Sequence, residues 1–327
     1  MKSPCRLAFN TVSLGSTAQV NTAGYYKLDI PDGYEGKTVG FTLEHPADVT
    51  PSLYAAFEQV PSTARYDFMA TAVSETGLEV LIPKVQAGNY YILAQDNASI
   101  VGSTGNVFSL SDDGQQTAEV PMSLTANEIH FGATKLSVTE GGTDGWVSTN
   151  VSGALFDSIM DFRLKMDQTV IPAEMVTMKG MTVSRVTFNL RNAETGTYDI
   201  VSELPDGTQA TLPQGFKVVP GVSVPLSAKV EAPFVVRQNS YVPITATYAN
   251  GGNTDCEIKD FVIAIDQGYL ATTIEGLEKH QSSISLPIDG EYNERGFKTI
   301  APGTQRSINL FMYQTSGGSQ ITFYIIQ

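Results

Sequence analysis

Three histidines, His45, His130 and His280, are the chain's imidazoles, and imidazole is the usual general base of a hydrolase. A hydrolase also needs a nucleophile and a group that orients the base. No Gly-x-Ser-x-Gly elbow occurs, and no histidine sits in a His-Glu-x-x-His metal pattern. Each histidine reads as a strand-end or surface residue. Gly102-Ser103-Thr104-Gly105 and Gly317-Gly318 lack the Gly-Lys-Ser/Thr that opens a phosphate-binding helix, so both read as hairpin turns. Asp112-Asp113-Gly114 offers hard oxygen ligands, but calcium takes six to eight oxygens and a β-turn explains the triplet. Glu291-Tyr292-Asn293-Glu294 reads as a polar loop. No catalytic residue and no metal site emerge. Aromatic rings can stack on neutral ligand faces such as sugars. Tyr25, Tyr91 and the single Trp146 are the candidate ligand-binding residues, with cross-strand packing as their competing role.

The elements that carry these residues are strands. Apolar residues alternate with polar ones over five to eight positions, between clusters of Gly, Pro, Asn and Asp. Helical periodicity is confined to short turns around Leu53–Phe57, which also reads as a strand, and Thr273–Lys279. Many short strands with a turn signal every ten residues or so predict an all-β chain of three tandem β-sandwich domains. The first spans 1–126, with Val39, Phe41 and Leu43 alternating and Asp32-Gly33 as a turn. The second spans 127–220, with a strand near Lys135–Val138, a Gly141-Gly142 turn, and Val186, Phe188 and Leu190 facing inward. The third spans 221–327: Val242 to Tyr248 alternate, Asn250–Asp255 turns, and Phe261, Ile263 and Ile265 face inward. Its Ile308, Leu310 and Met312 form a further row, and Ile321–Gln327 ends the chain as a strand. Short linkers without Gly/Ser tracts predict a fairly fixed line of domains.

The 327 residues carry a net charge of −14, with 42% hydrophobic and only 17% charged residues. Such a chain has enough apolar material for packed cores and repels phosphate backbones and anionic membrane. Cys5 and Cys256 fall in different predicted domains, which argues against a disulfide between them. No stretch approaches the 18 or so apolar residues of a membrane span. The N-terminus lacks the apolar core of a signal peptide, and the chain is expected to be a piece of a longer protein or a mature, processed form.

Gly24-Tyr25-Tyr26-Lys27-Leu28-Asp29-Ile30-Pro31, Leu53-Tyr54 and Ala87-Gly88-Asn89-Tyr90-Tyr91 follow one another as in the bacterial pre-peptidase C-terminal domain, which the first third resembles. That resemblance implies a jelly-roll-like sandwich. Some members of that family carry an aspartate-rich stretch, associated with calcium, before the Leu-Tyr strand. Here Pro46–Ser52 holds the single Asp48, which leaves calcium open rather than implied. Val151–Phe156, Gly196–Val201 and Leu204–Thr208 resemble TIG-like immunoglobulin domains. Tyr248–Asp255 and Ala301–Thr304 resemble bacterial adhesion-related immunoglobulin-like modules. The trio implies an extracellular or cell-surface bacterial protein in which these modules space, stiffen, adhere or target.

The expected function is therefore a non-catalytic structural or adhesive segment of a multidomain protein or filament, with other domains of the same protein or copies of itself as partners. The alternative is an accessory module that targets a polysaccharide or a collagen-like protein polymer for a secreted hydrolase. An enzyme with a site that leaves no motif is a third reading.

Overall fold

The computed structural model describes residues 10–96, 121–292, 297–315 and 323–326, apart from positions 22, 48, 75–76, 223, 234 and 289. The chain is all-β: among the described residues the sole helical element is a 3-10 turn, Glu275–Lys279. Buried apolar residues gather in three separate clusters, at 12–126, 136–218 and 226–312.

Two five-stranded sheets enclose the first cluster. Ala23–Ile30, Gly88–Asp96 and Pro51–Phe57 are neighbours in one, and Pro121–Ile129, Thr38–Glu44 and Gly77–Ile82 in the other. Tyr26, Leu28 and Ile30 from the first sheet pack in one core with Val39, Phe41 and Leu43 from the second. The period-2 pleat explains both sets, because alternate residues of a strand face one side. Leu53–Phe57 lies within a strand, not a helical turn. Gly33, at φ 85°, closes the turn after Pro31, whose carbonyl accepts from Tyr34 N.

The second unit is one eight-stranded sheet wrapped over itself. Thr169–Met178 makes the wrap: its residues up to Pro172 pair with Asp161–Met166, and from Ala173 on, through a bulge between Ala173 and Met175, it pairs with Val183–Asn189. Val147, Val186, Phe188, Leu190, Tyr198 and Phe216 fill the space between the two halves. Gly141-Gly142 is not the expected turn. It belongs to a short strand, Glu140–Gly142, parallel to Lys217–Val219. A side chain at Gly141 would run into Val147, Leu190 and Phe216, so the glycine marks a close approach rather than a reversal.

In the third unit a four-stranded sheet built on Tyr241–Ala249 and Gln305–Gln314 covers two three-stranded sheets. Ile244, Tyr248, Phe261, Ile263, Leu310 and Met312 meet in its core. Phe323–Ile326 pairs with Val262–Ile265, so the expected closing strand forms. The 3-10 turn Glu275–Lys279 matches the helical signal near Thr273–Lys279. The links are short: Ile129 ends the last strand of the first unit and Gly132 opens the second, while 220–226 joins the second to the third.

Candidate functional site

Tyr25 and Tyr91 stand on neighbouring strands of the first unit. Tyr25 faces Leu93 and Lys27 faces Tyr91, which places both tyrosines on one side of the sheet, half-buried. Their neighbours Tyr26 and Tyr90 point the other way, at 1% and 3% exposure. The Tyr26 hydroxyl donates to Gln19 O at 2.7 Å, and Gln86 N donates to the Tyr90 hydroxyl at 3.0 Å. One tyrosine of each pair is therefore a core residue. Asp112-Asp113-Gly114, Gly102–Gly105, Gly317-Gly318 and Cys5 lie outside the described residues. His45 and His130 directly follow the strands Thr38–Glu44 and Pro121–Ile129, and His280 caps the 3-10 turn and stacks on Tyr269. The three imidazoles sit on separate elements. No group of three or more potential metal-binding side chains occurs among the described residues.

Trp146 is placed differently. It opens the strand Trp146–Ala154, one edge of which is only partly covered by Gly132–Leu136, paired at 151–154. Ser137 N then donates to Asn150 O, which shows that the even-numbered residues present their backbone groups on this edge. Trp146 and Ser148 would be left with open backbone groups. The loop 250–255 of the third unit takes them: Asp255 N donates to Trp146 O at 2.8 Å, and Ser148 N donates to Asp255 Oδ1 at 2.9 Å. Ser148 Oγ donates to Asp255 Oδ2 at 2.6 Å. An open edge is a site for unwanted strand pairing, and here one acidic residue closes it.

Asn253, in the same loop, uses all four of its polar groups. Its carbonyl accepts from Gly142 N at 2.7 Å and its N–H donates to Val222 O at 3.1 Å. Its side-chain oxygen accepts from Val222 N at 2.7 Å, and Nδ2 donates to Pro220 O at 2.9 Å. A Cβ on Gly142 would overlap the Asn253 amide, which is why glycine stands there. The loop is held from behind by Asn250, 2% exposed, whose Nδ2 donates to Thr254 O and Ile300 O at 2.9 Å each. Gly252 N donates to Asn250 Oδ1 at 3.0 Å.

Beside this joint lies a cleft of about 740 Å³, within the range of ligand sites and lined from both units. Trp146, Glu174, Arg185 and Arg191 line it from the second unit, and Asp255 and Tyr292 from the third. The Arg191 guanidinium lies 3.9 Å from the Trp146 ring centre, and Trp146 Nε1 donates to Glu174 Oε2 at 2.8 Å. Arg185 Nη2 donates to Thr299 O at 3.3 Å, a further link across the joint.

Burial pushes the Asp255 carboxyl up to about 6; the Ser148 donors and Arg185 oppose that rise, and Glu257 adds to it. Burial also lowers Arg185, against the pull of Asp255. The Cys256 thiol lines the same cleft and burial pushes it up, away from the reactive thiolate. The cleft thus holds fixed donors, acceptors and rings. Sequence reasoning singled out Trp146 by its type, read Asn253 and Asp255 only as part of a turn, and passed over Arg185; the roles of all three depend on partners in another unit.

No family profile and no curated protein matches this chain. Among solved structures, it is similar to the pre-peptidase C-terminal domain of a collagenase from Bacillus anthracis, at 10% identity and TM-score 0.27, over 38% of this chain and 100% of that one. It is also similar to a mixed-linkage glucan utilization locus protein, SGBP-B, of Bacteroides ovatus in complex with a mixed-linkage heptasaccharide. There the identity is 13% and the TM-score 0.25, over 92% of this chain and 71% of that one. A secreted protein of Eubacterium rectale shows 9% identity and TM-score 0.22, over 97% of this chain and 79% of that one. Scores this low leave the functions of those proteins with those proteins, and the fold assignment rests on the sheets and cores above.

Proposed function

We propose that this chain is a non-catalytic structural or adhesive segment of an extracellular or cell-surface bacterial protein, and that it acts as a stiff spacer. The supporting observation is the docked loop 250–255, which completes an open strand edge of the second unit and engages Asn253 through every polar group it has. A flexible linker needs no such contacts, whereas a spacer that must transmit position or force does. The net charge of −14 suits a surface segment kept in solution. The order of a pre-peptidase C-terminal-like module and two immunoglobulin-like modules belongs to the same reading, as do the domain boundaries at 126 and 220.

Small-angle scattering of the purified chain tests the spacer, together with assays on peptide and glycan polymers. The expected result is one unchanged scattering profile from low to high salt, and no hydrolysis. A profile that needs an ensemble of conformers refutes the stiff spacer, and turnover of any polymer refutes the non-catalytic assignment.

A further inference from the structure

The joint has more than a mechanical side. The geometry points to the cleft beside it as a binding site for a neutral oligosaccharide chain, held between the second and third units. The ligand class follows from the walls. Trp146 with Arg191 stacked on it forms one flat surface, and the Tyr292 ring, 66% exposed with Lys298 Nζ 5.2 Å from its centre on one face, offers another. Flat rings of this kind favour the C–H faces of sugars.

Between the rings stand groups of opposite hydrogen-bonding character. The Arg185 guanidinium makes one hydrogen bond among the described residues, to Thr299 O, and carries four further N–H donors that a ligand oxygen can use. Glu174 and Asp255 are acceptors on the same walls. A hydroxyl donates and accepts at once and serves both kinds of group. A purely apolar ligand would strand the guanidinium of Arg185 away from water.

Charge narrows the class further. Asp144, Glu174, Asp255 and Glu257 outnumber Arg185 and Arg191 around the cleft, and the whole chain carries −14. Sulfated and other polyanionic chains are repelled. The cleft's volume of about 740 Å³ accepts several sugar rings rather than a single one. Both units supply walls, so occupancy also tightens the joint, which links this site to the spacer role without depending on it.

The intact chain holds one tryptophan, so its indole fluorescence reports on the cleft alone. The probes are cellohexaose, maltohexaose, xylohexaose and mannohexaose, each titrated to about 10 mM and followed by fluorescence and calorimetry. At least one is expected to saturate the Trp146 signal with matching heat. Tyr292→Ala should weaken that binding roughly tenfold, Tyr292→Phe should restore it, and Tyr25→Ala in the first unit should leave it unchanged. Tyr292 is exposed, so its replacement leaves the cores intact, and an unchanged near-ultraviolet dichroism spectrum verifies this. The inference is overturned if none of the four probes binds, if a lysine-rich peptide binds in their place, or if Tyr292→Ala binds as well as the parent. Failure here leaves the scattering test of the spacer untouched.

Discussion

Replacing Asp255 with Asn should stabilise the joint above pH 6 and remove much of its pH dependence. In the folded chain burial lifts this carboxyl from the usual 3.8 to about 6. Below pH 3.8 it is protonated in both the folded and unfolded states and adds no pH-dependent cost. Between 3.8 and about 6 the folded chain keeps a proton that the unfolded chain has released, so stability falls as pH rises. Above about 6 the whole cost is present, about 3 kcal/mol at 1.36 kcal/mol per pKa unit, as an upper bound. Asn is neutral throughout and keeps the geometry. Its oxygen accepts from Ser148 N, and its amide can donate to Ser148 Oγ, which lies 2.8 Å from Thr187 Oγ1 as its onward partner. The assay is urea unfolding followed by the single tryptophan, from about pH 4 to about pH 7.5. With a slope of about 1–3 kcal/mol per molar urea, the variant's midpoint should exceed the parent's by on the order of 1 M at the upper pH, and the gap should close near pH 4. Groups common to both proteins cancel in the difference between them. Parallel midpoints across the range would refute the reasoning, as would a variant that is the less stable one at pH 7.5.

Three further substitutions bear on the joint and the cores. Asn253→Ala removes the acceptor for Val222 N and the donor to Pro220 O, so the joint should lose about 1–3 kcal/mol, read as faster hydrogen exchange at the Gly142 and Val222 amides. Tyr26→Phe leaves Gln19 O without its hydroxyl donor in the first unit and should cost about 1 kcal/mol in the thermal unfolding of that unit. Phe261→Ala opens a cavity beside Tyr248, whose ring centre lies 5.4 Å away, and should cost the third unit about 3–5 kcal/mol, measured by exchange at the Ile263 amide.

Much of the fold is legible in the residues because a strand repeats every two positions. Tyr26 and Tyr90 go inside and Tyr25 and Tyr91 outside for that reason alone, and Val186, Phe188 and Leu190 follow the same rule. Turns are legible where one residue's backbone decides them, as at Gly33, at φ 85°. Gly141-Gly142 shows the limit. Paired glycines signal a reversal, yet these two are small because Phe216 and Asn253 press on them, and both contacts come from distant chain. The loop 250–255 is a turn as its sequence says, but its purpose lies in a strand edge 107 positions away from Asp255. Arg185 and Asp255 carry no local pattern at all. Their meeting is a product of how two units dock, which no period or motif encodes.

Residual dipolar couplings, measured on the intact chain in one alignment medium, test the rigid joint most directly. If the loop 250–255 locks the second unit to the third, tensors fitted separately to 132–219 and to 227–314 should agree in size and direction with Asp255 seated on the Trp146–Ser148 edge. Asn253→Ala should make them diverge. Tensors of different magnitude in the parent chain would show that the two units reorient independently, and the stiff spacer would then be wrong.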